Sequence, residues 1–234
     1  MGTKIRYGVG LLLTFFFLLA VSPAAFADDG RAWTWLSSND KYSKFYAPSS
    51  VRVAKSVMLP GKQQVVATEI TADIKTTFSY EGAEETIRNY KIGHVIANPN
   101  LLSYSIAQVR VVPQNRLLQY VGETFYDAAG NVLWSKGMGT EKEMNSQQFD
   151  EEFYAAIVDA VFYHGEMKRV RADDRWILLW TNETVAGIKT QVTADTSTMR
   201  RMGDNLIFWA WTEVRDADGK AIEITFDKRA VNLP

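Results

Sequence analysis

The chain has 234 residues, 26 basic against 27 acidic side chains, a formal charge of −1 and no cysteine. That balance argues against a nucleic-acid partner, and the lack of thiols excludes disulfides, so stability has to come from a packed core. With 47% hydrophobic and 12% aromatic residues such a core is within reach and general disorder is not expected.

The first element reads as a secretion signal. Lys4 and Arg6 give a positive start, residues 9–21 are apolar apart from Gly10 and Thr14, and Ala25-Phe26-Ala27 offers the small-x-small pattern of a cleavage site. Cleavage is expected between Ala27 and Asp28. The apolar run spans about 20 Å as a helix, short of the roughly 30 Å hydrocarbon core, which makes a permanent anchor the weaker reading. No later stretch reaches membrane length, so no transmembrane segment is expected after signal removal, and without cysteine a lipid attachment is closed. Losing Lys4 and Arg6 from the 26 basic residues leaves 24 against 27 acidic ones, a mildly acidic exported chain of the periplasm, the cell surface or the medium.

Strand patterns follow. In Ala32 to Leu36, Trp33 and Trp35 alternate with small or polar neighbours. Lys44 to Ala47 and Val51 to Val53 are separated by Pro48-Ser49-Ser50, and Leu59-Pro60-Gly61-Lys62 marks a turn. Val65 to Ile74 and Tyr104 to Val112 read as longer strands. Between them Ala83, Ile87 and Tyr90 permit a short helix over residues 81–91, but a surface excursion between strands is the preferred reading. Leu118 to Tyr126 and Val132 to Trp134 flank Asp127-Ala128-Ala129-Gly130, a type I turn with Asp first and Gly fourth.

One helix is predicted with a clear stripe. From Gln147 to Phe162, Phe149, Phe153, Ala156, Ile157, Ala160 and Val161 recur at three- and four-residue spacing. Asn145 or Ser146 suits the cap, and Asp150, Glu151 and Glu152 suit the positive end of the helix dipole better than an interaction patch. Gly165 is expected to end the helix, and residues 166–173 read as a charged, solvated linker. The expected division is a signal at 1–27, a sheet-plus-helix unit at 28–165 and a smaller unit at 174–234.

Beyond the linker the opening returns. Trp33 precedes Asn39 by six residues, as Trp176 precedes Asn182. Ser50-Val51-Arg52 matches Thr198-Met199-Arg200, and Thr68-Glu69-Ile70 matches Thr212-Glu213-Val214, which reads as a degenerate internal repeat whose second copy is shorter. Asp216-Ala217-Asp218-Gly219 is a further type I turn. Taken as a calcium loop it would put Val214 and Thr225 where carboxylates are required.

A unit that opens on Trp and a short strand, passes a Ser-x-Arg turn to Val-Val-Ala-Thr-Glu-Ile, runs through Tyr104-Ser-Ile-Ala-Gln-Val and Phe125-Tyr-Asp-Ala-Ala-Gly-Asn-Val-Leu and closes on an amphipathic helix resembles the surface-adhesin E-like domain of exported bacterial proteins. The resemblance covers Arg31 to Phe162 once and Asp174 to Leu233 in truncated form; the family's cysteine near the helix has no counterpart in Asp159 to Tyr163. It implies an antiparallel sheet with a packed helix and a binding role at the cell envelope.

No catalytic constellation is visible. His94 and His164 are the only histidines, too few without cysteine for a structural zinc site, and no Gly-x-Ser-x-Gly elbow or phosphate-binding glycine loop occurs. A glycosidase-type carboxylate pair leaves no short motif and stays open. Trp33 and Trp35, and Trp209 and Trp211 beside Ile207, form the candidate partner-binding aromatics, with core packing as the alternative. The expectation is therefore an α+β protein: a predominantly antiparallel β-sheet with one packed amphipathic helix, followed by a smaller β-rich repeat. It is expected to be an exported, non-catalytic binding or adhesion-like protein that needs no cofactor or metal and meets a protein or carbohydrate at the envelope. A periplasmic assembly factor is the first alternative, and an envelope hydrolase the second.

Overall fold

A computed structural model describes residues 30–61, 64–162 and 175–233. The proposed signal, its cleavage site at Ala27 and Asp28, His164, Gly165 and the charged segment 166–173 lie outside the described residues. Among the described residues the chain is mostly antiparallel β-sheet in two sheets, with two α-helices of more than one turn.

The first sheet contains β1 (Thr34–Ser38), β2 (Tyr42–Tyr46), β3 (Arg52–Met58), β4 (Val65–Phe78), β5 (Tyr104–Val112), β6 (Leu117–Tyr126), β7 (Val132–Lys136) and β8 (Lys142–Glu143). Their order is β1-β2-β4-β5-β6-β7, with β3 beside β4 and β8 beside β6. Alternation fixes which face is covered: Ile70, Ala72 and Ile74 of β4 and Ala107, Val109 and Val111 of β5 are buried, with more exposed residues between most of them. Onto that face packs α2 (Glu151–Phe162), whose Phe153, Ala156 and Ile157 join Ile70, Val109, Leu118 and Met144 in one core. Each of the larger of these side chains contributes about 1.5–3 kcal/mol by leaving water.

The helix starts later than its stripe predicts. Asn145 Oδ1 accepts from Gln147 N at 3.0 Å and Gln148 N donates to the Asn145 carbonyl at 3.1 Å, so Asn145 caps a turn ahead of the helix. Phe149 is left exposed, and Asp150 is drawn to the Tyr120 hydroxyl, 2.7 Å away.

The helix is also not alone. Residues read as a surface excursion form α1 (Tyr80–Tyr90), capped by Ser79, whose hydroxyl accepts from Gly82 N at 3.2 Å. Ala83 and Ile87 pack with Ile92, Ile96, Leu102 and Phe125 in a second core. Gly82 lowers the helical signal in sequence, yet a β-carbon there would collide with the Lys41 carbonyl. Tertiary approach, not local propensity, sets that residue.

The second sheet is a meander of β9 (Trp176–Glu183), β10 (Lys189–Met202), β11 (Asn205–Arg215) and β12 (Ala221–Asn232), with Val192, Ala194, Phe208 and Ala210 as its core. Both Asp-x-x-Gly segments are turns, with Asp127 Oδ1 accepting from the amides of Ala129 and Asn131, and Asp216 Oδ1 from those of Asp218 and Lys220.

The two sheets interrupt their strand pairing by the same device. Ser50 Oγ donates to the Ala47 carbonyl at 2.7 Å and accepts from Asp73 N at 2.8 Å, where β2 gives way to β3 along β4. Thr198 Oγ1 donates to the Asp195 carbonyl at 2.7 Å and accepts from Trp209 N at 2.9 Å, where β10 breaks its pairing with β11. Charged groups join the sheets: Glu143 receives Arg200, Lys228 and Trp209 Nε1, while Arg116 donates to the Ser197 carbonyl at 2.7 Å and pairs with Glu151. Among the described residues no helix is long and apolar enough to cross a membrane.

Candidate ligand cleft

α1 and α2 cover the same face of the first sheet but leave a gap between them. The strands beneath change character there. β4 passes from Ile74 to Thr76, β5 from Ala107 to Ser105, and β6 presents Glu123 two residues before the buried Phe125. Thr76 lies opposite Ser105 and Glu123 opposite Lys136 of β7, and Ser105 reaches Glu123 diagonally across β5 and β6, so polar groups cross four neighbouring strands. Thr76, Ser105 and Glu123 are 7%, 2% and 8% exposed, which places polar groups where apolar ones would fold more simply.

Above this floor stands a cleft of about 300 Å³. α1 supplies one wall with Glu85, Thr86, Asn89 and Tyr90; Thr140, Lys142, Phe149 and Asp150 supply the other. Tyr42 and Phe149 meet edge to face at 5.1 Å at its rim.

Its acids are engaged. Glu123 accepts from the Tyr90 hydroxyl at 2.8 Å and from Ser105 Oγ at 2.9 Å. Burial pushes its carboxyl above the usual range, against the opposing pull of those two donors and of Lys136. Asp150 accepts from Tyr120 and has the Lys142 ammonium 3.8 Å away. Burial, with the neighbouring acids Glu123 and Asp150, drives the phenols of Tyr90 and Tyr120 upward, so both remain donors. Glu85 pairs with Lys41, and Lys136 Nζ sits 4.6 Å from the centre of the Tyr90 ring.

The candidate tryptophans lie elsewhere. β1 begins at Thr34, so Trp33 stands outside the strand, half-buried between the cations of Arg31 and Lys75 at 5.9 and 5.6 Å. Trp35 is 56% exposed. Trp209 and Trp211 are half-buried around Phe226, with centroids at 5.1 and 6.2 Å, and Phe208 is buried on the opposite face. The fold therefore does not gather the four rings into one surface; they divide between the two sheets. His94 is exposed, and among the described residues no group of three or more His, Asp or Glu could hold a metal ion.

Comparison with family models, with characterised proteins and with solved structures returns no match.

Ser105, Tyr120 and Glu123 escaped the sequence reading, which saw Tyr90 only as part of a helical spacing and preferred a helix-dipole role for Asp150; the five come from α1, β5, β6 and the segment just before α2. A faint signal exists in Thr76-Thr77-Phe78 and Gly122-Glu123-Thr124, where polar residues occupy the inward register of apolar strands.

Proposed function

We propose that this chain is an exported, non-catalytic binding protein of the bacterial cell envelope, similar to surface-adhesin E-like domains, and that its ligand occupies the cleft between α1 and α2. The observation that carries the reading is the buried polar floor, which interrupts two apolar cores and has no folding advantage of its own. Glu123 and Asp150 line one cleft, as a hydrolytic acid pair must. Each, however, is held by tyrosine or serine hydroxyls that lock it into the wall, and at 8% and 6% exposure neither is presented to a bond to be cleaved. Binding is the better use of such groups.

The second sheet is, on this reading, a shortened copy of the first. The matched hydroxyl bridges of Ser50 and Thr198 support it, as do the equivalent pairs Arg52 with Thr71 and Arg200 with Ile207. Superposing those pairs brings Thr212 onto Thr76 rather than onto Thr68, so the Thr-Glu match read from sequence is out of register. A periplasmic assembly factor is the second reading, favoured by the exposed apolar side chains of β9.

Fractionation of cells, with and without protease added to intact cells, tests the reading. A surface binder is shaved, and an assembly factor is protected in the periplasm. Recovery from the cytoplasm with residues 1–27 still attached sinks export altogether.

A further inference from the structure

We propose that the cleft takes a neutral, polyhydroxylated ligand, a single saccharide ring or a disaccharide; this rests on the binding reading above. The first reason is charge. Each acid in the cleft faces a base: Glu123 has Lys136 opposite it in the sheet, Asp150 has Lys142 at 3.8 Å, and Glu85 has Lys41. A cationic ligand displaces an ammonium group and an anionic one leaves a carboxylate facing it, so neither sign of ligand charge finds an unmatched partner.

The second reason is the kind of group on offer. Thr86, Ser105, Thr140 and Asn89 line the cleft, and their hydroxyls and carboxamide are groups that both donate and accept. Such a set matches alcohols, which donate and accept at the same atom. It suits neither a purely apolar ligand nor a phosphate, which needs converging donors. The third reason is the rim. Tyr42 and Phe149 present ring surface beside the polar floor, and the C–H faces of a pyranose pack against such surfaces while its hydroxyls turn inward. The size agrees, since about 300 Å³ is the lower end of small-molecule sites.

Amide NMR spectra of the purified protein, titrated separately with glucose, N-acetylglucosamine, maltose, spermidine and inorganic phosphate, test this. At least one neutral sugar is expected to shift the amides of Asn89, Ser105 and Lys136 saturably, with no saturable change from spermidine or phosphate. Asn89→Ala, on the exposed side of α1 and outside the core, is expected to weaken that sugar about tenfold, the equivalent of one hydrogen bond, without changing the unfolding midpoint. Saturable shifts of the same amides with spermidine or phosphate but no sugar overturn the ligand class and leave the cleft as a binding site. Silence of the cleft amides in every titration overturns the binding reading as well.

Discussion

The two sheets carry comparable strands and differ in what covers them. On β4, Ile70, Ala72 and Ile74 are 0%, 1% and 2% exposed beneath α2; on β9, Ile177, Leu178, Leu179 and Trp180 are 43%, 56%, 40% and 47% exposed. The apolar character of a strand therefore says that it wants cover and not that it has it. β9 is an edge strand, and its pairing with β10 slips at Leu179, between Val192 with Trp180 and Thr193 with Leu178. Such a bulge blunts an edge that would otherwise invite another strand.

The largest expected effect tests whether the helix cover matters as described. Phe153→Ala empties a fully buried position of α2 and is expected to cost about 3–5 kcal/mol in urea unfolding, whereas Trp180→Ala on β9 costs less than 1 by the same measure. Similar losses at both sites break the contrast between the sheets. Next in size is the junction. Glu143→Ala strands Arg200 and Lys228 and is expected to cost about 2 kcal/mol. Hydrogen exchange is expected to quicken in β11 and β12 first; faster exchange in β4 and β5 alone contradicts a junction role.

The shared hydroxyl bridge is tested by a matched pair. Ser50→Ala and Thr198→Val each leave a strand amide, of Asp73 or Trp209, without its acceptor, and each is expected to cost about 1–3 kcal/mol. Losses that differ severalfold show that the two bridges are not equivalent. The pH response separates the cleft from the junction. Burial raises the folded Glu123 carboxyl above its ordinary value of 4.5, so the folded chain binds more protons just above that pH and stability falls as pH rises there. In Glu123→Gln that fall is expected to vanish, so the variant gains on the parent as pH rises above 4.5 in thermal melts. Glu143 acts with the opposite sign: although burial works to raise it, Lys228 and Arg200 hold it below 4.5, so its contribution is present above that value and lost as pH drops below it. The smallest effect belongs to Leu178→Ser, at an exposed position, expected within about 0.5 kcal/mol of the parent.

Period and punctuation carried much of this fold. β4, β5, β6 and the two Asp-x-x-Gly turns are local facts, written in alternation and in side chains that bond their own backbone. The tryptophan pairs were visible, but whether a ring is covered depends on what packs above it, and Trp35 and Trp209 turned out differently exposed. The spacing of Ala83, Ile87 and Tyr90 permitted α1 without deciding it; packing on Phe125 decided it, and the Lys41 carbonyl across space requires Gly82.

From sequence alone follow the β-rich class, the turns, the amphipathic stripe of α2 and the reading of an export signal, because each is set by residues close together in the chain. Only the tertiary structure decided the second helix, the later start of α2 and the cleft. Glu123 becomes part of the cleft floor because Tyr90 comes from α1 and Ser105 from β5 to meet it. Those meetings depend on strand register and helix packing, which bring together groups that no sequence window contains.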